Sequence, residues 1–241
     1  MNRLIVILLL VVANYSKAAD SFSKGVDAFS KENYTEAVQF FKVAIEDSPN
    51  DLSGYYNLGL SYMGIEDFGN ALWCFEKVLK IDPSDDVAAQ KASLAYQAIH
   101  SSDEWKPIQG KLLSKVYSLS SDTWAIMAII CSLICCLSII ILRKSSLLIT
   151  KRVAVISTFT SAVLLLTTTY FAYGTYDFHM DNNYGVVTEP NIPTYLSGNT
   201  ANGNLAQGMR LHKISESNSF IKVEDSYGNM YLIHAEDLKF L

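Results

Sequence analysis

Two uncharged apolar runs, Thr123 to Leu142 and Val153 to Tyr173, leave this chain little conformational freedom. At about 1.5 Å of rise per residue, either one as a helix crosses a hydrocarbon core of roughly 30 Å. A bilayer core offers no water to free backbone N–H and C=O groups, which restricts such segments to helices. The short segment between them, 143–152, carries Arg143, Lys144, Lys151 and Arg152. Short basic loops stay on the cytoplasmic side. The expectation is a two-helix transmembrane hairpin, 123–142 and 153–173, with a cytoplasmic basic loop and both flanks outside. Trp124 and Tyr173 fall where interfacial aromatics belong, and Asp122 is placed to cap the first helix.

The N-terminus agrees. Arg3, the apolar stretch Leu4 to Ala13 and a polar segment ending in Ala18-Ala19 follow the pattern of a secretory signal. Its apolar stretch is too short to span a bilayer. Residues 1–18 are expected to be a signal peptide cleaved after Ala18, with an uncleaved anchor as the alternative.

A second signal is periodic. Gly25, Tyr34, Ala37, Phe41 and Pro49 recur at one constant offset as Gly59, Phe68, Ala71, Phe75 and Pro83. Each position has a physical reason. The glycines and alanines let paired helices approach, the aromatics fill the space between them, and the prolines stop the second helix of each unit. Asn50-Asp51 and Ser84-Asp85 then supply capping side chains for the next helix. This pattern resembles the tetratricopeptide repeat, a helix-turn-helix unit of that same period. Residues 20–104 are expected to form two such repeats plus a capping helix. Solenoids of this kind usually need three or more units, so the array is expected to lean on a neighbour. The resemblance implies a concave partner groove exposing Phe22, Phe29, Tyr56, Asn57, Met63 and Gln90. The competing reading is that its aromatics only close a small core. The Lys/Asn pattern of a carboxylate clamp is missing.

Ile108, Leu112, Val116 and Leu119 recur at helical spacing beside Lys106, Lys111 and Lys115, which predicts an amphipathic interfacial helix over 105–121 lying on membrane lipid. Within the first span, Cys131 and Cys135 share a helix face and read as packing residues.

Residues 178–241 break into short alternating stretches, 185–187, 194–196, 209–214, 220–223 and 230–233, separated by turns that include Asn202-Gly203-Asn204 and Tyr227-Gly228-Asn229. Gly208 before a strand, Phe220-Ile221-Lys222-Val223, Gly228 and the closing Ala235-Glu236-Asp237-Leu238 resemble a bacterial SH3-like domain, a small all-β barrel. The resemblance implies a binding cleft, for which Tyr184, Tyr195, Phe220, Tyr227 and Tyr231 are the candidates. His212 and His234 are the histidines that strand pairing could bring together, but two ligands make a poor metal site.

Residues 20–104 hold six Lys/Arg against fifteen Asp/Glu, and 178–241 hold four against seven. Such acidic flanks disfavour nucleic acid. No phosphate loop, dinucleotide fingerprint, HExxH, CxxC or nucleophile elbow is present. No catalytic residue, metal site or cofactor is expected, and Glu32, Glu36 and Glu76 read as solvated helix positions. The fold class expected is thus a multi-domain membrane protein, with all-α tetratricopeptide-type repeats, a transmembrane hairpin and a small SH3-like barrel.

The order of modules, with Ser120-Ser121-Asp122-Thr123-Trp124-Ala125 leading into the first span, resembles the BatE family of the Bat aerotolerance system. The resemblance implies a non-enzymatic scaffold in the bacterial inner membrane, with both soluble domains periplasmic. It also implies partners among von Willebrand A-domain Bat proteins and a link to oxygen tolerance and envelope stress. The alternative is a tether that senses peptidoglycan through the SH3-like domain.

Overall fold

The computed structural model describes residues 20–101, 105–108, 111–144, 147–195, 201–217 and 219–241. The expected signal peptide lies outside them. The chain divides into two compact units. One joins the residues up to Ile108 with Asn182–Leu241, and the other is Gln109–Asp181.

The first unit begins with five antiparallel helices: α1 (20–30), α2 (Tyr34–Asp47), α3 (Leu52–Gly64), α4 (Phe68–Ile81) and α5 (Asp86–Ile99). Each of α2 to α5 starts at a side-chain cap, from Asn33, Asp51, Asp67 and Asp85 respectively. Each cap satisfies an otherwise free N–H of the first turn. The periodic residues form the core: Ala37, Phe41, Ala71 and Phe75 are fully buried. Close approach requires the glycines, since a Cβ on Gly25 would lie 2.7 Å from Phe41 and one on Gly59 2.8 Å from Phe75. Glu32 and Glu66, one period apart, both take left-handed backbone at φ 59° and 62°, turning each first helix into its second.

Residues 182–241 form a five-stranded antiparallel sheet of order β6-β5-β4-β1-β7 and a separate β2-β3 pair. The strands are β1 (Tyr184–Val186), β2 (Ile192–Tyr195), β3 (Ala201–Leu205), β4 (Arg210–Ser217), β5 (Phe220–Glu224), β6 (Met230–His234) and β7 (Lys239–Phe240). No closed barrel is seen among the described residues. Asn202-Gly203-Asn204, expected as a turn, lies in β3 and pairs with β2. Ladder hydrogen bonds need only the backbone, so a strand of small polar residues escapes a search for apolar alternation. Leu205, Leu211, Ile221, Val223 and Ile233 fill the sheet's own core.

The neighbour that the short array needs is this sheet. Val186 and Leu241 belong to the same buried cluster as Phe41, Leu72 and Phe75, together with Trp105. Removing one such aliphatic side chain from water contributes about 1.5–3 kcal/mol. The two flanks, separate modules in the sequence, therefore share one core.

The second unit contains α6 (Lys111–Tyr117), α7 (Ser121–Lys144) and α8 (Leu148–Met180). The amphipathic helix α6 is shorter than the expected 105–121, and Pro107, which has no N–H to donate, lies before it. Both spans run past the uncharged segments. Arg143 and Lys144 fall in the last turn of α7, and Lys151 and Arg152 fall inside α8, so the connection is much shorter than the expected loop over 143–152. Helices α7 and α8 pack antiparallel, with Trp124 against Phe171 at 5.3 Å and Ser138 Oγ 2.8 Å from Ser157 Oγ. Both are long and apolar enough to cross a membrane. Their packing is inverted: Ser138, Ala154, Ser161 and Thr168 are buried, while Leu133, Ile156, Phe159 and Leu166 are exposed. Small residues let the backbones approach, and the apolar side chains face outward. Cys131 and Cys135 are half-buried among them.

Candidate interaction surface

The six residues expected to line a groove all sit on first helices of the repeat units. Phe22 and Phe29 are on α1, Tyr56, Asn57 and Met63 on α3, and Gln90 on α5. Repeat register aligns them in rows: Phe22, Tyr56 and Gln90 are each one period apart, as are Phe29 and Met63. A third row went unnoticed in the sequence: Val26, Leu60 and Leu94 share the same offset. Val26 and Leu94 are 45% and 44% exposed, and Leu60 is half-buried. None of these positions is charged.

The aromatics serve two purposes. Phe22 packs edge-on against Phe41 at 5.5 Å, Phe29 against Tyr34 at 5.3 Å and Tyr56 against Phe75 at 5.8 Å. One side of each ring closes the core, and half-burial leaves the other accessible. Asn57 donates to the Ser53 carbonyl at 2.8 Å, and Gln90 is exposed.

The five aromatics proposed for the strand region do not converge. Tyr195 and Phe220 meet at 5.2 Å, and His234 stacks on Phe220 at 4.3 Å, forming one half-buried cluster. Tyr184 lies elsewhere, against His212 at 4.7 Å, and packs on the repeat core. Tyr227 is 89% exposed at the β5–β6 turn. Tyr231 gives its hydroxyl to Asp225 at 3.1 Å. The histidines do not pair: strand register puts His212 opposite Glu224 and His234 opposite Phe220. Among the described residues no group of three His, Cys, Asp or Glu could hold a metal ion.

Asp225 organises that turn. Burial works against its charge, but donors from Asn229, Tyr227 and Tyr231 outweigh burial and hold its carboxyl below the ordinary aspartate range. The tip carrying Tyr227 is therefore rigidly hydrogen-bonded.

The residues that sequence reasoning missed lie on α4. Glu76, expected on a solvated face, is 2% exposed. It accepts Arg210 Nε at 2.8 Å and Trp105 Nε1 at 2.9 Å, and the guanidinium carbon lies 5.1 Å from the centre of the Trp105 ring. Trp73 Nε1 donates to the Phe240 carbonyl at 3.0 Å, and Lys239 bonds the Asn70 side chain. These contacts cover β7, the sheet edge that would otherwise be open to strand addition. Burial lowers the Lys239 ammonium below its usual range. Gly69 faces Thr188 so closely that a Cβ would overlap its carbonyl oxygen. Comparison of the two repeats could have revealed this face, because Thr35, Gln39 and Lys42 of the first correspond to Gly69, Trp73 and Glu76 of the second. A polar helix face has become a covered one. Cys74, nearby and fully buried, has its thiol pushed up by desolvation and is inert.

A comparison with curated proteins finds no match for the chain. Residues 52–85, which comprise α3 and α4 with their connecting turns, match the tetratricopeptide repeat family. The chain carries a tetratricopeptide repeat, a helical repeat region around it and a C-terminal antiparallel sheet.

Proposed function

We propose that this protein is a membrane-anchored scaffold that holds a protein partner on the first-helix side of its repeat array. One observation carries the reading. The second-helix side at α4 is occupied by the chain's own sheet through Glu76, Trp73 and Gly69, while the rows of Val26, Tyr56 and Leu94 on the first helices stay accessible. Repeats of this family serve chiefly in protein recognition, and an uncharged apolar surface suits an amphipathic partner segment. The scaffold is non-enzymatic in this reading.

The transmembrane hairpin α7–α8 supplies the anchor. That residues before and after it share one core supports placing both flanks on the same side of the membrane, and the basic residues at the facing ends of α7 and α8 support the outer side of a bacterial inner membrane. The module order fits an accessory subunit of a Bat-type complex with von Willebrand A-domain proteins. The Tyr195–Phe220–His234 cluster favours a second reading, in which an SH3-like strand domain binds peptidoglycan.

A photo-crosslinking residue at Tyr56 or Leu94 in the full-length protein in native membranes tests the main reading. Attachment to a single membrane protein, identified by mass spectrometry, is expected. Attachment to lipid alone, or none, overturns it. Retention of the full-length protein on purified sacculi, lost on Phe220→Ala, would transfer the function to the strand region.

A further inference from the structure

The inverted burial of α7 and α8 continues into α6, outside the hydrocarbon-length segments. The residues that α6 turns inward are Ser114, 9% exposed, and Tyr117, whose ring stacks on Phe178 at 5.5 Å with an interplanar angle of 9°. Leu113 on α6 and Leu119 in the turn after it are instead exposed. In water that arrangement wastes apolar surface, whereas at a lipid boundary it is the favourable one. The end of α6 is fixed to the start of the first span by Trp124 Nε1, which donates to the Val116 carbonyl at 3.2 Å.

The level of α6 is set by α8. Tyr117 meets Gly174 and Phe178, and interleaved with these positions are Tyr170, Tyr173 and Tyr176, all exposed. Outward tyrosines at a spacing of three form an aromatic belt, which marks the lipid headgroup region. Lys115 is exposed on α6.

We propose that α6 and the turn after it lie at the headgroup level of an anionic bilayer, with Leu113 on α6 and Leu119 in that turn against the upper acyl chains and Lys115 against lipid phosphate. The proposal rests on the reading of α7 and α8 as membrane spans. It gives the protein a lipid-contacting surface of its own, beyond the hairpin.

The full-length protein in vesicles tests it, with Cys131, Cys135 and Cys136 replaced by alanine and the buried Cys74 left in place. A polarity-sensitive fluorophore is attached at Leu119→Cys, and in separate preparations at Leu133→Cys on α7 and at Tyr227→Cys on the β5–β6 turn. In vesicles containing phosphatidylglycerol, the Leu119 label is expected to be quenched by lipids spin-labelled near the headgroup and protected several-fold from iodide relative to the Tyr227 label. Protection should decrease in pure phosphatidylcholine or on Lys115→Gln. Iodide access equal to that at Tyr227, with the Leu133 label still deep, overturns the proposal alone. Equal protection in both lipids overturns the anionic preference. A Leu133 label beyond the reach of deep quenchers overturns the spanning reading, and the proposal with it.

Discussion

Arg210 on β4 grips the carboxylate of Glu76 on α4, with Nε 2.8 Å from Oε1 and 2.9 Å from Oε2. Removing one partner of a buried pair leaves an uncompensated charge, a loss of about 3–5 kcal/mol. Arg210→Met should therefore lower the urea midpoint of the full-length protein, followed through Trp105 fluorescence. Adding Glu76→Leu to Arg210→Met should restore most of the loss, because the buried charge is then gone. A double variant no more stable than the single one would show that the pair itself supplies the energy.

Gly69 makes the docking of the sheet sterically testable. Alanine is the better helix former by about 1 kcal/mol, yet its Cβ would overlap a backbone carbonyl that cannot swing aside. Gly69→Ala is expected to leave the helix content intact and to make residues 182–241 protease-sensitive. Proteolysis indistinguishable from the parent would mean that Thr188 is not held against α4.

At Glu66 the backbone is left-handed, φ 62°, where a side chain costs about 1 kcal/mol. Glu66→Gly should raise the stability of the repeat unit by up to that amount, read as an increase in Tm. Glu32→Gly, one period earlier, should do the same. A decrease at both would mean that the glutamate side chains offset the strain.

The hydrogen bonds to Asp225 predict a pH dependence. Its folded pKa is depressed, so the stability it contributes is fully present above the unfolded value of about 3.9 and is lost as pH falls through the folded value. Asp225→Asn should be destabilised relative to the parent at pH 7, and the difference should narrow as pH falls below about 3.9. A constant difference from pH 7 to pH 2 would remove the carboxylate from the account.

What could be read in the sequence was what repeats or persists. The repeat period located α1 to α5 because each apolar position is used twice, and the long apolar helices α7 and α8 were evident because each contains a run of about twenty residues without charge. The outer face of α4 was hidden because Glu76 looks like any solvated helix glutamate until Arg210 is beside it. Helical spacing carries no information about a partner on a strand made much later in the chain. β3 was hidden because Asn202-Gly203-Asn204 has turn composition and forms a strand through its backbone. Phe22, Phe29, Tyr56 and Met63 all lie on first helices, but the row of Val26, Leu60 and Leu94 becomes conspicuous only once exposure is known.

The α7–α8 hairpin interrupts a single discontinuous fold. A ribosome releases α4 well before it makes β4 and β7, so the surfaces around Glu76 and Trp73 stay uncovered until those strands have been synthesised. Loss of even Leu241, which sits in the same core cluster as Phe41 and Phe75, would be felt at the opposite end of the chain. For this protein a late stop codon is a lesion of the N-terminal domain, and the cell's quality-control machinery would meet it there.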